Sequence, residues 1–410
     1  MKDQSYSNYR WVIGVLLFLG LLGLNVLWFI PSPLLTPIMK ELDMSLMQGG
    51  LGMSVVCLLV AVFGLIGGSL VARIGIKRCF LYGLIFMAAG ALLTLLVKSF
   101  TQLFLSRILI GIGFGLCLPV SGAVIMMWFP EPERPYINTI NSTLPYVATA
   151  ITFVLTIPLY LTLNNSWRLT IGLWGGLLTV VAVIWMIWGK ASPNAPVDNG
   201  ELPLDIDKNE NLLLAVWRNR EVRLLSLAEG ADMWAFQFLT SMLPTYYTME
   251  VGMPIATASN ITAIFPLVGI GAGLICGVWM SRVGLRKPFT WPMHLATFIG
   301  TILAINAGGW LRLLGVALAG FGNAGWAPAL FTMPMEFEGS NPSRVGAIYA
   351  VMLSLGFLAA FISPWLGGWL AQSIGLHDTI FIFSFSSLLA ALCTILMRET
   401  GISSKSKTLV

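Results

Sequence analysis

Long apolar runs, each about the length needed to cross a lipid bilayer, dominate this sequence. An α-helix rises about 1.5 Å per residue, so roughly 20 apolar residues cross a hydrocarbon layer about 30 Å thick. Twelve such runs follow one another, and mostly short loops between them hold most of the charges. Because only 10% of the residues are charged and 57% are hydrophobic, the chain has too little polar surface for a soluble globule. We therefore predict an all-α membrane protein with twelve transmembrane helices.

One long polar stretch divides the runs into two sets of six. The predicted spans lie at residues 11–37, 46–71, 79–97, 101–127, 138–161, 169–189, 223–248, 257–280, 288–306, 309–333, 345–370 and 379–397. Residues 191–222 contain prolines and acids followed by a basic end, which is typical of a linker that finishes in an amphipathic segment. The predicted organisation is a six-helix bundle at 1–190, a cytoplasmic linker at 191–222 and a second six-helix bundle at 223–410.

The distribution of basic residues predicts the orientation. If the N-terminus is cytoplasmic, only five of the 23 Lys and Arg residues fall on the far side or in a span: Lys40, Lys98, Arg107, Arg168 and Arg312. Such an excess of basic residues inside favours both termini in the cytoplasm and a multi-pass protein of the plasma (inner) membrane, in contact with lipid. The net charge of +5 is spread over short loops, so we expect no nucleic-acid partner.

The seventh run carries two acids well inside its ends, Glu229 and Asp232. Charged groups in hydrocarbon are costly and are found mainly where they face a bundle interior or a water-filled path. At about 1.5 Å per residue, Asp232 lies about 13 Å along the helix from Arg223, near mid-membrane, and Glu229 about 9 Å. Phe236 and Thr240 continue the same helix face. The pair predicts a proton-binding site or a counter-charge for a cationic ligand; alternatively, Glu229 forms an internal ion pair or reaches toward the cytoplasmic surface near Arg223.

An internal repeat supports the division into two halves. The stretch Gly68–Arg78 between spans 2 and 3 matches Gly277–Lys287 between spans 8 and 9, with the glycines and all three basic positions coinciding at an offset of 209. The same offset roughly relates the glycines at 113–115 to those at 320–322. Two parallel halves of this kind predict a pseudo-twofold axis along the membrane normal and a cavity between the halves.

These motifs resemble the major facilitator superfamily of transporters. The resemblance rests on the doubled turn (Arg73 and Gly75, then Arg282 and Gly284), on the glycine-rich run that begins at Arg107, and on Trp128-Phe-Pro before Glu133. It covers essentially the whole chain and implies two pseudo-symmetric six-helix bundles. For Arg107 and the two turns it implies a structural or coupling role.

Two departures narrow the resemblance. Ala72 stands where the family usually has Asp, so the helix-end charge cluster is expected either to be weaker or to rely on Glu131, Glu133, Glu336 and Glu338 instead. Span 5 lacks the glycine-proline motif of drug/proton antiporters. Short stretches such as Pro33-Leu-Leu-Thr look similar to the cyanate and nitroimidazole transporter group, although that group's expected arginine in span 1 is missing, with Ile30 and Pro31 in its place.

The resemblance also implies which polar mid-span residues face the cavity, because helices 1, 4, 7 and 10 line its centre in this family. The substrate-binding candidates are Asn25, Trp28, Phe236, Gln237, Asn323 and Trp326, which lie on spans 1, 7 and 10, and Tyr146, a mid-span residue of span 5 that this rule does not favour. His294 in span 9 is interpreted as a packed or hydrogen-bonded helix residue, and no metal or cofactor is expected because no ligand cluster is visible. The five cysteines show no paired spacing.

The functional hypothesis is a secondary transporter that moves a small organic solute by alternating access. We expect proton coupling through Asp232 and Glu229, no enzymatic activity and a monomer. One alternative is an uncoupled facilitator or an organic-anion carrier of the cyanate-transporter type, in which Arg107 contacts the substrate. A second alternative is a membrane receptor that has lost transport.

Overall fold

The computed structural model describes residues 8–130, 133–190 and 209–401, and these residues form helices and turns without a strand. The helices are α1 Arg10–Phe29, α2 Pro31–Glu41, α3 Leu46–Ile74, α4 Ile76–Leu93, α5 Phe100–Trp128, α6 Arg134–Thr162, α7 Trp167–Trp188, α8 Asn209–Arg218, α9 Arg220–Met249, α10 Ile255–Val283, α11 Trp291–Asn306, α12 Gly309–Gly325, α13 Ala327–Glu336 and α14 Pro342–Leu396. Two short 3-10 turns, Thr94–Leu96 and Lys287–Phe289, lie beside α4 and α11.

Ten stretches within the described residues are long and apolar enough to cross a membrane. One of them, Arg344–Leu396, holds the two last predicted spans, because Gly375 breaks the helical backbone at φ 84° and ψ 164°. Helix α9 is not among the ten, since its acids and polar residues lower its hydropathy. The predicted all-α membrane fold is confirmed, and the count of apolar stretches falls below twelve for these two reasons.

Prolines explain where the observed helices differ from the predicted spans. The first span was predicted as one helix at 11–37, but α1 ends at Phe29 and α2 begins at Pro31 and runs to Glu41. The tenth span, predicted at 309–333, is likewise divided at Trp326, with Pro328 in the first turn of α13. A proline lacks the N–H that would continue the helix and is tolerated in the first turn of a new one.

The described chain forms two compact units. Unit 1 comprises Met1–Asp43 and Val55–Leu204, and unit 2 comprises Met44–Ser54 and Asp205–Val410, so the first turns of α3 belong to unit 2. Residues 191–208 of the predicted linker lie outside the described residues, and α8 is the short helix that follows them. The predicted domain boundaries stay a prediction.

Both units contain one helix pair held in close contact by glycines. In unit 1, a Cβ on Gly113 of α5 would lie 2.4 Å from the carbonyl oxygen of Gly83 in α4. In unit 2, a Cβ on Gly322 of α12 would lie 2.2 Å from the carbonyl oxygen of Met293 in α11. Small residues permit such backbone approach between membrane helices. These contacts relate Gly113 to Gly322, so the offset of 209 seen in the doubled turn continues into this helix pair.

Candidate functional site

Helix α9 is buried along most of its length, which is unusual for so polar a helix in this chain. It starts where the Asn219 side chain accepts the Glu221 N–H, and buried residues then extend from Val222 to Tyr247. The side chains of Glu229 and Asp232 are both buried, each residue being 5% exposed. Since a charged side chain is costly in an apolar interior, its neighbours decide what it does there.

The Asp232 carboxylate lies where α9 meets α11 and α12. Asn323 Nδ2 donates a hydrogen bond of 2.8 Å to Asp232 Oδ2. On the other side, Asp232 Oδ1 lies 3.4 Å from Nδ1 of His294, which is fully buried on α11. The ring of Trp326, just after α12, lies 4.6 Å from the His294 ring between centroids. We refer to these four residues, Asp232, His294, Asn323 and Trp326, as the Asp232 cluster.

Several polar atoms of the Asp232 cluster are only partly satisfied. Within the described part of the chain, Asp232 Oδ1 and both ring nitrogens of His294 have no hydrogen-bond partner. A buried polar atom without a partner costs about 1–3 kcal/mol. Such atoms can exchange a proton or form a hydrogen bond with a ligand or a water molecule. The Asp232 cluster can therefore bind a proton, a ligand or water.

Glu229 has different neighbours from Asp232, although only three residues separate them. A Cβ placed on Gly356 of α14 would lie 3.1 Å from Glu229 Cγ and 3.2 Å from its Oε1. Glu229 therefore packs against α14 beside a glycine. Among the described residues it forms no ion pair with Arg223. The predicted shared face is buried, but its two acids contact different helices.

Gln237 and Phe236 continue α9 beyond Asp232. Gln237 Nε2 donates to Ser241 Oγ at 3.2 Å, and the side chain is fully buried. Phe236 packs against Phe265 of α10, with ring centroids 6.1 Å apart. These contacts lie within unit 2 and describe packing around the Asp232 cluster.

In unit 1, Arg107 holds the end of a helix. Its Nη1 and Nη2 donate to the carbonyl oxygens of Leu27 at 2.6 Å and Trp28 at 2.7 Å. Leu27 is four residues before Pro31, which has no N–H to donate to that carbonyl. The guanidinium thus supplies donors to carbonyls at the C-terminus of α1, where helices leave such groups without internal partners.

The remaining unit 1 candidates surround that helix end. Asn25 Nδ2 donates to Leu21 O at 2.8 Å. The Trp28 ring stacks on Phe29 at 4.4 Å and meets the edge of Phe114 at 5.3 Å. Tyr146 on α6 is half-buried. Sequence reasoning therefore found two separate groups, one in each unit.

The repeated turns have the backbone that their glycines predict. Gly75 and Gly284 have φ of 83° and 70°, in a region that favours glycine. Arg73 and Arg282 are exposed beside them. Three of the four expected acids are described: Glu336 pairs with the buried Arg286 at 2.5 Å, Glu133 pairs with Arg10 at 2.9 Å, and Glu338 is exposed. Glu131 lies outside the described residues.

His294 is the member of the cluster whose contact with Asp232 sequence reasoning missed. The interpretation as a packed helix residue is incomplete, because the ring also contacts Asp232. The rule that identified the two acids also applies to His294: a titratable side chain inside a membrane span is a candidate functional residue. It was not applied to a lone histidine, since nothing in the sequence relates position 294 to position 232.

Comparison with known proteins identifies the family. The model of the Major Facilitator Superfamily matches residues 17–357 and again 225–408, so the chain belongs to this superfamily of transporters. It is 23% identical over 408 residues to the probable galactarate/D-glucarate transporter GarP of Escherichia coli (strain K12), covering 87% of each chain. It is 24% identical over 368 residues to the cyanate transport protein CynX of the same strain, covering 88% of this chain and 91% of that one.

A solved structure agrees on the fold. A bacterial homologue of the human lysosomal transporter Spinster, in an inward-facing and unoccupied conformation, superimposes with a TM-score of 0.80. It is 16% identical and the match covers 95% of this chain and 97% of that one. The resemblance inferred from the doubled turn is confirmed, and the protein is a multi-pass membrane transporter with the two-bundle fold of this superfamily.

Proposed function

We propose that this protein is a proton-coupled secondary transporter of a small organic solute, working by alternating access in the inner membrane with both termini in the cytoplasm. The observation that supports it is the buried Asp232 carboxylate, which accepts from Asn323 through Oδ2 and has no hydrogen-bond partner among the described residues at Oδ1. A monomer suffices for this function, because all members of the Asp232 cluster come from one unit of one chain.

The physical reason is the cost of moving a charge between environments. A carboxylate is stable where water reaches it, but an apolar surrounding penalises the ionised form. If the protein changes conformation only when the site around Asp232 carries no net charge, a proton must accompany each cycle. Glu229 is the second buried acid, and its position against α14 makes it a further proton carrier on the same helix. Transport is then driven by the proton gradient.

The test begins with a ligand screen, because the solute is unknown. Thermal unfolding of the purified protein would be measured at two pH values with galactarate, D-glucarate, cyanate, several amines and neutral nutrients. A stabilising compound is then used for uptake into proteoliposomes with and without an imposed pH gradient. We expect acid-outside vesicles to accumulate it and Asp232→Asn to abolish the pH-driven part.

A matched control separates coupling from folding. Asp43 is an exposed acid with φ of 49°, a conformation that asparagine tolerates well, so Asp43→Asn makes the same chemical change at a surface position. We expect this variant to transport like the natural protein. Unchanged substrate binding and pH dependence in Asp232→Asn would contradict the proposal.

A second candidate is an organic-anion carrier without proton coupling. It is favoured by the relatives, whose names include a galactarate/D-glucarate and a cyanate transporter, and by Arg107, whose guanidinium is fully buried in unit 1. In this case small anions would compete for uptake, the competition would be lost in Arg107→Lys, and a pH gradient would have no effect. Since Arg107 already donates to two backbone carbonyls, we place this second.

A further inference from the structure

His294 is buried on α11 in a position where a packing residue would ordinarily be apolar. It is one of two histidines in the chain, and the side chain has no exposed surface. Neither ring nitrogen has a hydrogen-bond partner within the described residues. A fully buried imidazole without partners is costly, so a role other than packing is needed to account for it.

The nearest charged group to this ring is a carboxylate. Nδ1 of His294 lies 3.4 Å from Oδ1 of Asp232. These two atoms face each other, and neither has a hydrogen-bond partner among the described residues. A movement of a few tenths of an ångström would bring them to ordinary hydrogen-bonding distance. The Trp326 ring lies 4.6 Å from the His294 ring between centroids and is tilted by 59° to it, so an aromatic side chain borders the imidazole.

Other charged groups near α11 have contacts elsewhere. Helix α11 packs against α12, α14 and the turn Lys287–Phe289. On these elements and on α9, Arg286 pairs with Glu336, Lys287 donates to Ile395 O, Arg312 donates to Ala307 O, His377 contacts Asp378, and Glu229 packs against Gly356. Among the described residues, only Asp232 makes an ionic contact with His294.

We propose that His294 is a proton-binding residue that shares the transported proton with Asp232, so that the loaded site is a carboxylate–imidazolium pair. This inference rests on the proposed function. The proton comes from water on the side where the site is open, binds a ring nitrogen of neutral His294, and returns to water on the opposite side. No other bond forms or breaks. The carboxylate and imidazolium together carry no net charge, while the unloaded pair carries one negative charge.

Two physical arguments support a shared proton. In water an imidazole binds a proton more tightly than a carboxylate does, so the ring is the natural first acceptor of the two. A net-neutral pair is also less costly inside the membrane than an isolated carboxylate, because each charge stabilises the other at short range. The Asn323 amide at Oδ2 holds the carboxylate while its Oδ1 faces the ring, which fixes the geometry of the pair.

The first experiment detects the proton directly and needs no substrate. In a His377→Gln background, His294 is the only histidine, so nitrogen-15-labelled histidine in lipid bilayers gives signals from this ring alone. We expect both ring nitrogens to carry hydrogen at neutral pH when Asp232 is present. In the Asp232→Asn protein the ring should become neutral at the same pH. A ring that is neutral and identical in both proteins overturns the inference.

The second experiment measures transport. His294→Gln keeps a hydrogen-bond donor but cannot bind a proton, so the site loses its stronger proton acceptor. Uptake should then require a more acidic medium. We expect its pH profile to move by about one pH unit, or tenfold in proton concentration. Thr301→Val is the matched control, because Thr301 is buried on the same helix. Among the described residues, its hydroxyl donates a hydrogen bond to Thr297 O of that helix at 2.8 Å. Its pH profile should be unchanged.

The outcomes distinguish this inference from the proposed function. If Asp232→Asn retains pH-driven uptake, proton coupling itself is wrong. If Asp232→Asn loses it while His294→Gln keeps the natural pH profile and the ring is neutral, coupling stands and the shared proton is wrong. Should His294→Gln fail to fold, the nitrogen signals of the protein with natural His294 still decide the question.

Discussion

The two units bury charge in opposite ways. In unit 1, Arg107 is permanently charged and its guanidinium donates to the carbonyl oxygens of Leu27 and Trp28, at 2.6 and 2.7 Å. In unit 2, Asp232 and His294 are groups that can change charge, and their facing atoms lack hydrogen bonds among the described residues. Backbone carbonyls cannot change protonation state, whereas a carboxylate and an imidazole can. This contrast is consistent with the proposed roles, a structural one for Arg107 and proton exchange for Asp232 and His294.

The difference traces to helix ends and to helix interiors. Arg107 meets α1 where Pro31 interrupts it, so the guanidinium gives the Leu27 carbonyl the donor that the proline lacks, and it donates to the Trp28 carbonyl as well. Asp232 and His294 are inside unbroken parts of α9 and α11, whose backbone groups already bond within the helix, so their side chains can be satisfied only by other side chains or by ligands.

Removing the Arg107 guanidinium should have the largest effect on stability. In Arg107→Leu, two buried carbonyls lose their donors, at about 1–3 kcal/mol each, so we expect a loss of about 3 kcal/mol or more in the free energy of unfolding. Arg107→Lys, which can still donate to one carbonyl, should lose less. The measurement is chemical unfolding in detergent. A stable Arg107→Leu protein that no longer transports would instead make Arg107 a substrate contact.

Close packing behind the Asp232 cluster should have the next largest effect. A Cβ on Gly322 would lie 2.2 Å from Met293 O, a backbone atom that cannot move without displacing the neighbouring His294. Gly322→Ala should therefore destabilise by about 1–3 kcal/mol and weaken proton coupling. Gly271→Ala on α10, where a Cβ meets nothing within 4 Å, is the matched control and should be neutral or slightly stabilising.

Equal loss in the two glycine variants would show that the packing distance does not govern this region. Gly113→Ala extends the comparison to unit 1, where the contact with Gly83 O is of the same kind. We expect a similar loss of stability there without a change in the pH dependence of transport, because the four residues of the Asp232 cluster all belong to unit 2.

Neutralising Asp232 should change stability in the opposite direction from Arg107→Leu. Asparagine has nearly the same shape and can still accept from Asn323, and no uncompensated charge is left behind because His294 is then expected to be neutral. We expect Asp232→Asn to be as stable as the natural protein or more stable by about 1 kcal/mol, while pH-driven uptake is lost. Thermal unfolding in detergent gives the first quantity and proteoliposome uptake the second. A marked loss of stability would make Asp232 a structural residue like Arg107.

Sequence reasoning could predict the fold because length, hydropathy and repetition are local properties of the chain. The apolar runs gave the helices, and the match of Gly68–Arg78 with Gly277–Lys287 gave the two halves. It identified Asp232, Asn323 and Trp326 individually, because polar side chains inside membrane spans are candidate functional residues. It could not predict that they meet His294, because that depends on how α9, α11 and α12 pack. The contact at Gly322, for example, sets the distance between α11 and α12. It placed Arg107 correctly in a span, but its partners depend on where Pro31 ends α1.

The smallest expected effect separates Glu229 from Asp232. A Cβ on Gly356 would lie 3.1 Å from Glu229 Cγ and 3.2 Å from Oε1, atoms of a flexible side chain that can move aside. Gly356→Ala should therefore cost less than about 1 kcal/mol and leave the polar contacts of Asp232 unchanged, because those contacts are made to Asn323 on α12 and His294 on α11. If the two acids exchange protons independently, the pH profile of uptake is the same in Gly356→Ala and in Gly230→Ala, where a Cβ makes only ordinary contacts. A profile that shifts in Gly356→Ala alone would show that Glu229 and Asp232 bind protons as one unit despite contacting different helices.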